Sequence, residues 1–378
     1  MKVAFINPRG YLRADPWMPL GAVQLATILA ARHDVSFFDE EQFDVDERQV
    51  QDADVLCITG MSHQAEGVKW WVRRGRDWNK RVVVGGVHAT LASEDFEGAI
   101  VVSGPGEEVI ERVVEDSWDS PHYVSPPVQD LDAFPFPDRQ RFGWSRYGER
   151  MGDVPAIRVI GARGCPFACK YCCNRRLTYG RLQLRNPEAI AQEISNAKKQ
   201  LGIGAVVFAM SVFTVNRSWA EEMCQKLAAL GIQWKATTRV DLVDRELLWL
   251  MKQSGCVALG FGVESGSDRV LEILGKGTTA DQARHAFAWA KQEQLPTFAM
   301  FMTHVPGETP ESLEATKQFA EELAPPLGST FQRFSPLPGS EFYGELDTWG
   351  TVVNRRDDLG FGPVAFIPQH FMAEPNRR

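Results

Sequence analysis

Short apolar runs alternate with amphipathic segments along the first third of the chain. Runs such as ADVLCITGMS are apolar throughout, which is typical of parallel strands that are covered on both faces. Between them, segments such as PLGAVQLATILAARH place apolar residues at helical spacing. The predicted strands lie within 2–8, 34–40, 53–62, 81–90 and 99–108, and the predicted helices within 19–33, 65–79 and 107–117. This α/β pattern predicts an N-terminal doubly wound, Rossmann-like domain over 1–124.

A second series of strand and helix patterns follows a proline-rich linker over 125–150. Its units repeat about every 30 residues, and two of its predicted helices end at Gly202 and Gly231. Six such units predict a partial (β/α)6 barrel over 151–343, and residues 344–378 show little periodicity and form a C-terminal tail. The predicted barrel strands are 155–163, 204–210, 233–239, 257–263, 297–303 and 329–335.

Composition and charge narrow the classes of partner. The formal net charge of −8 argues against a nucleic-acid partner, which usually meets a basic surface. No apolar run approaches the roughly 20 residues that span a bilayer, and the N-terminus does not read as a signal peptide. We therefore expect a cytoplasmic protein without a membrane partner. In a reducing compartment its seven cysteines are not a disulfide framework.

Four of the seven cysteines lie between Cys165 and Cys173. Cys165, Cys169 and Cys172 have the spacing C-x-x-x-C-x-x-C and follow the first barrel strand, at the end of a barrel where chemistry takes place. Three thiolates on one short loop suit three irons of a 4Fe–4S cluster and leave the fourth iron for an external ligand. A closed zinc site is the alternative, with Cys173 as its fourth ligand. Adjacent cysteines rarely bind one tetrahedral ion, so we favour the cluster.

This loop, at the mouth of a partial barrel, resembles that of the radical S-adenosylmethionine (SAM) family. The resemblance implies that SAM binds the open iron and is cleaved reductively to a 5′-deoxyadenosyl radical. It also implies an external electron donor such as a flavodoxin or ferredoxin. Tyr171 occupies a family position that is usually aromatic and lies near the adenine.

Three further segments resemble the SAM-binding turns of the family: RVD at 239–241, GVESGSDRVL at 262–271 and HVPGETPES at 304–312. The resemblance implies contacts with the SAM carboxylate, the methionine or ribose groups, and the adenine. The residues are, in that order, Arg239; Glu264 and Ser265; Pro306, Gly307 and Glu308.

Two positions depart from the family pattern. Met210 and Ser211 stand where an acidic pair often follows the second barrel strand. His304 stands where a glycine usually precedes the glycine–proline turn. A histidine at a strand end can be a proton donor or a substrate contact, and a local hydrogen-bonding role is the alternative.

Four segments of the first domain, PLGAVQLATIL, ITGMS, VVGGVHAT and SGPGEE, resemble the cobalamin-binding domain of one branch of radical SAM enzymes. Glycines at strand ends let a nucleotide-like tail pass close to the backbone. The D-x-H-x-x-G signature, which supplies a histidine to cobalt, is absent, because PRGYLRADPW follows the first strand. An empty, purely structural domain is the alternative. The implied cofactor contacts are Thr59, Ser62, Gly85, Gly86, His88, Gly104, Gly106 and Glu107.

These resemblances together predict an enzyme that uses SAM and cobalamin to methylate an unactivated carbon or phosphorus of a small molecule. One alternative is the same radical chemistry without methyl transfer, leading to dehydration, epimerisation, rearrangement or sulfur insertion. Another is a non-enzymatic metal-binding or redox-sensing protein.

Overall fold

The computed structural model describes residues 1–11, 17–115, 120–352 and 366–369. The chain divides into two compact units. The first comprises Met1–Arg150 together with Arg176–Tyr179, and the second comprises Met151–Arg175 and most of the chain from Gly180 onward. Within the described residues, the helices lack the length and apolar character that crossing a bilayer requires.

The first unit is built on one parallel sheet of six strands in the order β2-β1-β3-β4-β5-β6. Its elements are β1 (Lys2–Asn7), α1 (Leu20–Leu29), β2 (Asp34–Asp39), α2 (Glu47–Gln51), β3 (Val55–Thr59), α3 (Ala65–Asp77), β4 (Arg81–Gly85), α4 (Val87–Leu91), β5 (Ile100–Ser103), α5 (Ile110–Glu115) and β6 (His122–Val124).

Both faces of this sheet are buried. Phe5 and Cys57 point to the face that α1 and α5 cover, whereas Ile6 and Ile58 point to the face that α3 covers with Trp71. Burial on both sides explains why the strands are apolar throughout rather than alternating. The doubly wound arrangement predicted for the first domain is thereby confirmed.

Two features of the first unit differ from the sequence-based expectation. A sixth strand, β6, pairs with β5 beyond the five predicted strands. The linker segment carries side chains of the first unit's core, because Phe142 and Tyr147 are buried there and the Tyr147 hydroxyl donates to Asp39 Oδ2 at 2.9 Å. These aromatic residues follow no local period, so the sequence pattern does not reveal their burial.

The second unit is built on a sheet in the order β15-β14-β13-β12-β11-β8-β7, in which β8 and β11–β15 run parallel. Its elements are β7 (Arg150–Met151), β8 (Val154–Val159), β9 (Ala162–Arg163), α6 (Asn174–Leu177), β10 (Gln183–Leu184), α7 (Pro187–Leu201), β11 (Ala205–Phe208), α8 (Arg217–Leu230), β12 (Gln233–Arg239), α9 (Arg245–Gln253), β13 (Cys256–Glu264), α10 (Asp268–Ile273), α11 (Ala280–Gln292), β14 (Thr297–Thr303), α12 (Pro310–Leu323), β15 (Ser329–Arg333), α13 (Glu341–Gly344), α14 (Leu346–Trp349), β16 (Gly350–Val352) and β17 (Phe366–Pro368).

Successive parallel strands lie side by side in chain order with helices between them, which is the arrangement of an incomplete (β/α) barrel. The predicted partial (β/α)6 barrel is thereby confirmed. Gly202 and Gly231 end α7 and α8 in the left-handed conformation, as predicted.

Two predicted segments have a different local structure. The first barrel strand is predicted over 155–163 but ends at Val159, and β9 pairs with β10 in a separate antiparallel two-stranded sheet. The described part of the tail contains α14 and the strands β16 and β17, which pair antiparallel. The remaining tail residues, 353–365 and 370–378, lie outside the described part of the chain.

Candidate active site

The thiol loop lies between β9 and α6, immediately after the first barrel strand. Cys165, Cys169, Cys172 and Cys173 are all free and half-buried. Backbone hydrogen bonds shape the loop: Cys172 N donates to Cys169 O at 3.1 Å, and Lys170 N donates to Leu274 O at 2.9 Å. The backbone N–H of Asn174 donates to Cys172 Sγ at 3.4 Å. The loop is therefore anchored to the end of α10.

Burial and nearby positive charges act in opposite directions on the pKa of the Cys165 thiol. Burial raises the pKa of Cys165, whereas the positive charges of Arg239 and Lys276 act to lower it. Burial also raises the pKa of Cys172 to about 11. Thiolates bind metals, so a thiol must lose its proton when a metal cluster binds, and at Cys165 the charges of Arg239 and Lys276 favour that loss.

The geometry of the loop bears on the kind of metal site. Among the described residues, no three His, Cys, Asp or Glu side chains converge closely enough to enclose one metal ion. Three cysteine thiols on one loop are the donor set of a 4Fe–4S cluster with one open iron, whereas a closed zinc site takes four ligands.

Arg239 ends β12 and lies beside the thiol loop. Its Nε and Nη2 donate to Asp241 at 2.9 Å each, and Nη2 also donates to Lys276 O at 2.7 Å. The guanidinium carbon lies 3.8 Å from the ring centroid of Phe167. These contacts leave Nη1 facing the loop, 3.9 Å from Cys169 Sγ. A buried, oriented guanidinium N–H beside the cluster ligands is suited to bind an anionic group.

A buried triad of polar side chains adjoins this arginine. Lys276 Nζ donates to Glu264 Oε1 at 2.8 Å and to the Tyr171 hydroxyl at 3.3 Å, while that hydroxyl donates to the same Glu264 oxygen at 3.0 Å. The Lys276 and Glu264 side chains are 6% and 12% exposed. Burial, followed by the Glu264 charge, raises the pKa of Tyr171. The phenol therefore stays protonated and fixes the carboxylate.

Lys276 is not among the site residues that the sequence predicts. It stands between two glycines, Gly275 and Gly277, whose φ values are +62° and +68°. Two glycines in the left-handed conformation, one on either side of the lysine, bend the backbone and so place that side chain.

Ser265, which the sequence predicts to approach SAM, lies in a buried turn with hydrogen-bond partners of its own. The residue is fully buried, its hydroxyl lies 3.0 Å from Thr316 Oγ1, and it accepts from Ser267 N at 3.2 Å. It therefore shapes the turn that carries Glu264, which itself has a φ of +69°.

The turn after β14 carries the other predicted SAM contacts. His304 has a φ of +58°, in the left-handed region where glycine is the usual residue. Pro306 is buried, and Gly307 O accepts from Arg269 Nη2 at 3.0 Å. Glu308 is fully buried, and its Oε2 accepts from the backbone N–H of His304. Within the described residues its Oε1 has no hydrogen-bond partner.

The two titratable groups of this turn have opposite shifts. Burial, with the charges of Arg333 and Lys317, lowers the pKa of His304, so the imidazole is neutral near pH 7. Burial raises the pKa of Glu308 to about 7. The turn therefore contains the neutral imidazole of His304 and the carboxyl of Glu308, which stays protonated up to about pH 7.

A pH dependence of stability follows from Glu308. Its pKa rises from 4.5 when unfolded to about 7 when folded, so the native state binds more protons between these values. The free energy of unfolding is expected to fall by about 3 kcal/mol as the pH rises through this window. Denaturant unfolding below and above the window checks this. Glu308→Gln should remove that part of the slope, and the exposed Glu314→Gln should retain it; an identical slope in Glu308→Gln would contradict the assignment.

Met210 and Ser211, which replace the acidic pair after the second barrel strand, both make structural contacts. Ser211 Oγ accepts from Asn174 Nδ2 at 2.6 Å, and Asn174 in turn holds Cys172 through its backbone. The Met210 sulfur lies against Gly161, where an added Cβ would come within 2.6 Å of it. The end of β11 therefore supports the thiol loop instead of presenting acidic groups.

The predicted cobalamin contacts of the first unit lie at the carboxyl ends of its parallel strands. Thr59 ends β3, Gly85 ends β4 and Gly104 follows β5. Gly86 has a φ of +95°, and a Cβ there would lie 2.6 Å from Thr59 Oγ1. At Gly85 the space is open, because a Cβ would meet only Val102 O at 3.8 Å. This open backbone is a place where a nucleotide-like tail can lie.

The remaining predicted contacts in this unit are more enclosed. His88 is fully buried, and its ring nitrogens lie 3.1 Å from Ser62 Oγ and 2.8 Å from Asp95 Oδ2. These bonds hold the His88 ring in place, and the ring in turn orients Ser62. Gly106 packs against Leu25, and Gly104 has a φ of +96°. Glu107 is buried.

The two neighbouring glycines provide a matched test. Gly86→Ala is expected to lower the free energy of unfolding by roughly 1–3 kcal/mol, because alanine at this φ is strained and its methyl group meets Thr59. Gly85→Ala is expected to leave unfolding almost unchanged but to weaken corrin retention, since its methyl group enters the open space. Thermal unfolding and corrin content of both variants are the measurements. Equal stability of the two variants would speak against this account.

Two segments of the chain match known protein families. Residues 159–320 match the radical SAM superfamily, and residues 13–114 match the B12-binding domain. An uncharacterized methyltransferase, PH0819 of Pyrococcus horikoshii, is 28% identical and aligns with 94% of this chain and 84% of its own length. An anaerobic magnesium-protoporphyrin IX monomethyl ester cyclase of Rubrivivax gelatinosus is 27% identical, covering 92% of this chain and 70% of the relative.

A solved structure has a similar fold. The radical SAM methyltransferase TsrM from Kitasatospora setae, with cobalamin and a [4Fe-4S] cluster bound, superposes with a TM-score of 0.75 at 15% identity, covering 98% of this chain and 80% of that one. The chain thus contains a radical SAM domain that is preceded by a B12-binding domain.

Proposed function

We propose that this enzyme methylates an unactivated carbon or phosphorus centre of a small molecule in a reaction that uses SAM and cobalamin. The observation that carries the proposal is the presence of a radical SAM domain and a B12-binding domain in one chain. The methyltransferase names of PH0819 and TsrM support methyl transfer as the reaction.

The residues of the thiol loop hold the metal cluster in this proposal. Cys165, Cys169 and Cys172 would hold the cluster, and Cys173 would stay outside the ligand set. When bound, the cluster delivers the electron that cleaves SAM, and cobalamin carries the methyl group. An external one-electron donor such as a flavodoxin or ferredoxin reduces the protein. Free thiols of this kind persist in a reducing compartment, so we place the reaction in the cytoplasm.

The neighbouring polar residues bind and orient SAM. Arg239 presents Nη1 next to the loop, where it can bind the carboxylate of the methionine part. Glu264 accepts hydrogen bonds from Tyr171 and Lys276, which fix its carboxylate for an amino or hydroxyl group of SAM. Such fixed groups keep a ligand oriented without further ordering on binding.

The turn after β14 completes this side of the site. We assign the contact with the adenine to the buried residues Pro306, Gly307 and Glu308. His304 ends the strand as a neutral imidazole, suited to accept or donate one hydrogen bond to the substrate. In the first domain, over 1–124, we assign Thr59, Ser62 and the open backbone at Gly85 to the cobalamin tail.

Product analysis tests the proposal. Protein purified without oxygen would be incubated with methyl-labelled SAM, a reductant and a small-molecule extract. Methyl transfer through this chemistry yields 5′-deoxyadenosine, S-adenosylhomocysteine and a labelled product, and it requires retained corrin. Absence of corrin and of label in any product would overturn methyl transfer.

Radical chemistry without methyl transfer is the second candidate. It is favoured by the similarity to the protoporphyrin ester cyclase, whose name describes ring closure rather than methylation. The same experiment separates the two, because this reaction yields 5′-deoxyadenosine without S-adenosylhomocysteine and without labelled product.

A further inference from the structure

The segment that contains the thiol loop is basic, whereas the chain as a whole is acidic. Residues 154–187 include six arginines, one lysine and no aspartate or glutamate, in a chain whose formal net charge is −8. The seven cations are Arg158, Arg163, Lys170, Arg175, Arg176, Arg181 and Arg185. Cations that the fold does not neutralise attract an anionic partner, so their surroundings decide what this segment can do.

The fold neutralises or covers four of these cations. Arg185 pairs with the buried Glu193 at 2.6 Å, and Lys170 pairs with Glu341 at 2.9 Å. Two more arginines are half-buried in the strands β8 and β9. Within the part of the chain that the structure describes, the other three are exposed and form no ion pair with a carboxylate: Arg175, Arg176 and Arg181.

Two of the exposed arginines flank a tight turn after α6. Gly180 N donates to Arg175 O at 2.7 Å, and Gly180 has a φ of +71°, in the left-handed region. A Cβ on Gly180 would lie 3.8 Å from Arg175 Cγ and Nε, so the Arg175 side chain lies along this turn. Arg181 is the next residue of the turn. The reversal of the chain thus places two positive charges on one exposed turn, called here the basic turn and defined by Arg175 and Arg181.

The basic turn lies close to the candidate cluster ligands. Arg175 follows Cys172 by three residues, so their Cα atoms are at most about 11 Å apart. Asn174, between them, donates its backbone N–H to Cys172 Sγ at 3.4 Å. The thiols of the loop are half-buried, so a cluster held by them would have a thin cover of protein there. Because electron transfer slows steeply with distance, a protein that delivers an electron is expected to bind at such a place.

We propose that the basic turn binds a small acidic electron-transfer protein, which passes one electron to the cluster. The proposal rests on the external donor of the proposed function and adds the surface that this donor contacts. The chain as a whole carries excess negative charge and repels an acidic carrier, whereas the basic turn attracts it and so orients the encounter. In the transfer the carrier loses one electron and the cluster gains it, and no covalent bond is formed or broken.

Binding titrations with two acidic carriers, a flavodoxin and a ferredoxin, test the proposal. Arg175→Gln combined with Arg181→Gln is expected to weaken binding about tenfold at low salt and to make the affinity less dependent on salt. The control variant, Arg73→Gln with Lys199→Gln, removes the same charge from exposed positions of α3 and α7. It should bind the carriers almost as the wild type does, because it leaves the basic turn intact.

Product formation provides a second measurement on the same proteins. With a reduced carrier as the limiting electron donor, the basic-turn variant should form 5′-deoxyadenosine more slowly than the wild type. With excess dithionite, which needs no docking surface, the two proteins should form it at the same rate. Equal rates with dithionite also show that the variant is folded and holds its cluster.

Four results would overturn the proposal. Neither carrier binds the wild-type protein, or the basic-turn variant binds both as tightly as the wild type does at low salt. The control variant loses as much affinity, which would make net charge the cause. The basic-turn variant binds the carriers normally but retains less corrin, which would assign the arginines to an anionic group of the cofactor. Absence of 5′-deoxyadenosine with dithionite in the wild type would instead contradict the proposed function, and the titrations would still decide whether the basic turn binds a carrier.

Discussion

Replacing Cys169 with serine is expected to abolish formation of 5′-deoxyadenosine and to reduce bound iron to background. A serine hydroxyl is a poor ligand for iron–sulfur clusters, and the two remaining thiolates hold too few irons for a stable cluster. Cys169 lies centrally in the loop, beside Arg239. Iron and sulfide content after anaerobic reconstitution, followed by product analysis with SAM and reductant, measures the effect. Corrin retention should be unchanged, since the B12-binding domain is separate in sequence.

Cys173 provides the matched control for this experiment. It is half-buried like the other loop cysteines and adjoins Cys172, but it lies outside the C-x-x-x-C-x-x-C spacing. Cys173→Ser is expected to retain the cluster and the cleavage of SAM. Loss of iron in Cys173→Ser, together with its retention in Cys169→Ser, would contradict the assignment of the ligands.

Lys276→Met is expected to lower the free energy of unfolding by roughly 3–5 kcal/mol, because it leaves the buried Glu264 carboxylate without its cation. The same variant should bind SAM poorly, since Glu264 is then no longer held in place. Denaturant unfolding and a SAM-binding titration are the measurements. The free energy of unfolding reports the lost pair, and the titration reports the lost orientation.

Two further variants separate this effect from a general loss of charge. Lys170→Met removes a surface pair with Glu341, whose side chains are 36% and 51% exposed, and should leave the free energy of unfolding almost unchanged. The double variant Lys276→Met with Glu264→Gln should recover part of the lost stability, because no uncompensated charge remains. Equal destabilisation by Lys170→Met and Lys276→Met would contradict the buried-pair account.

The sequence predicts most of the fold, because the strands carry local signals. The runs around Phe5, Ile58 and Val83 are apolar throughout, and burial on both faces of a parallel sheet demands that pattern. β6 escapes prediction because its three residues, His122–Val124, are mostly exposed and carry no such signal. Its strand character comes from pairing with β5.

The candidate site divides in the same way. The spacing of Cys165, Cys169 and Cys172 is local, so the sequence alone indicates a cluster loop. Lys276 is distant in sequence from Tyr171, and only the fold brings the two side chains within 3.3 Å. The sequence also gives no sign that Ser265 and His88 are enclosed by partners of their own.

The amino-acid sequence by itself predicted most of the strands and helices, two helix ends at glycines and the cysteine spacing of the candidate cluster loop. These features depend on residues that are close along the chain. The tertiary structure alone decided which charges are paired in the interior. Such contacts join residues far apart in sequence, and their energies depend on distance and burial, which no local pattern records.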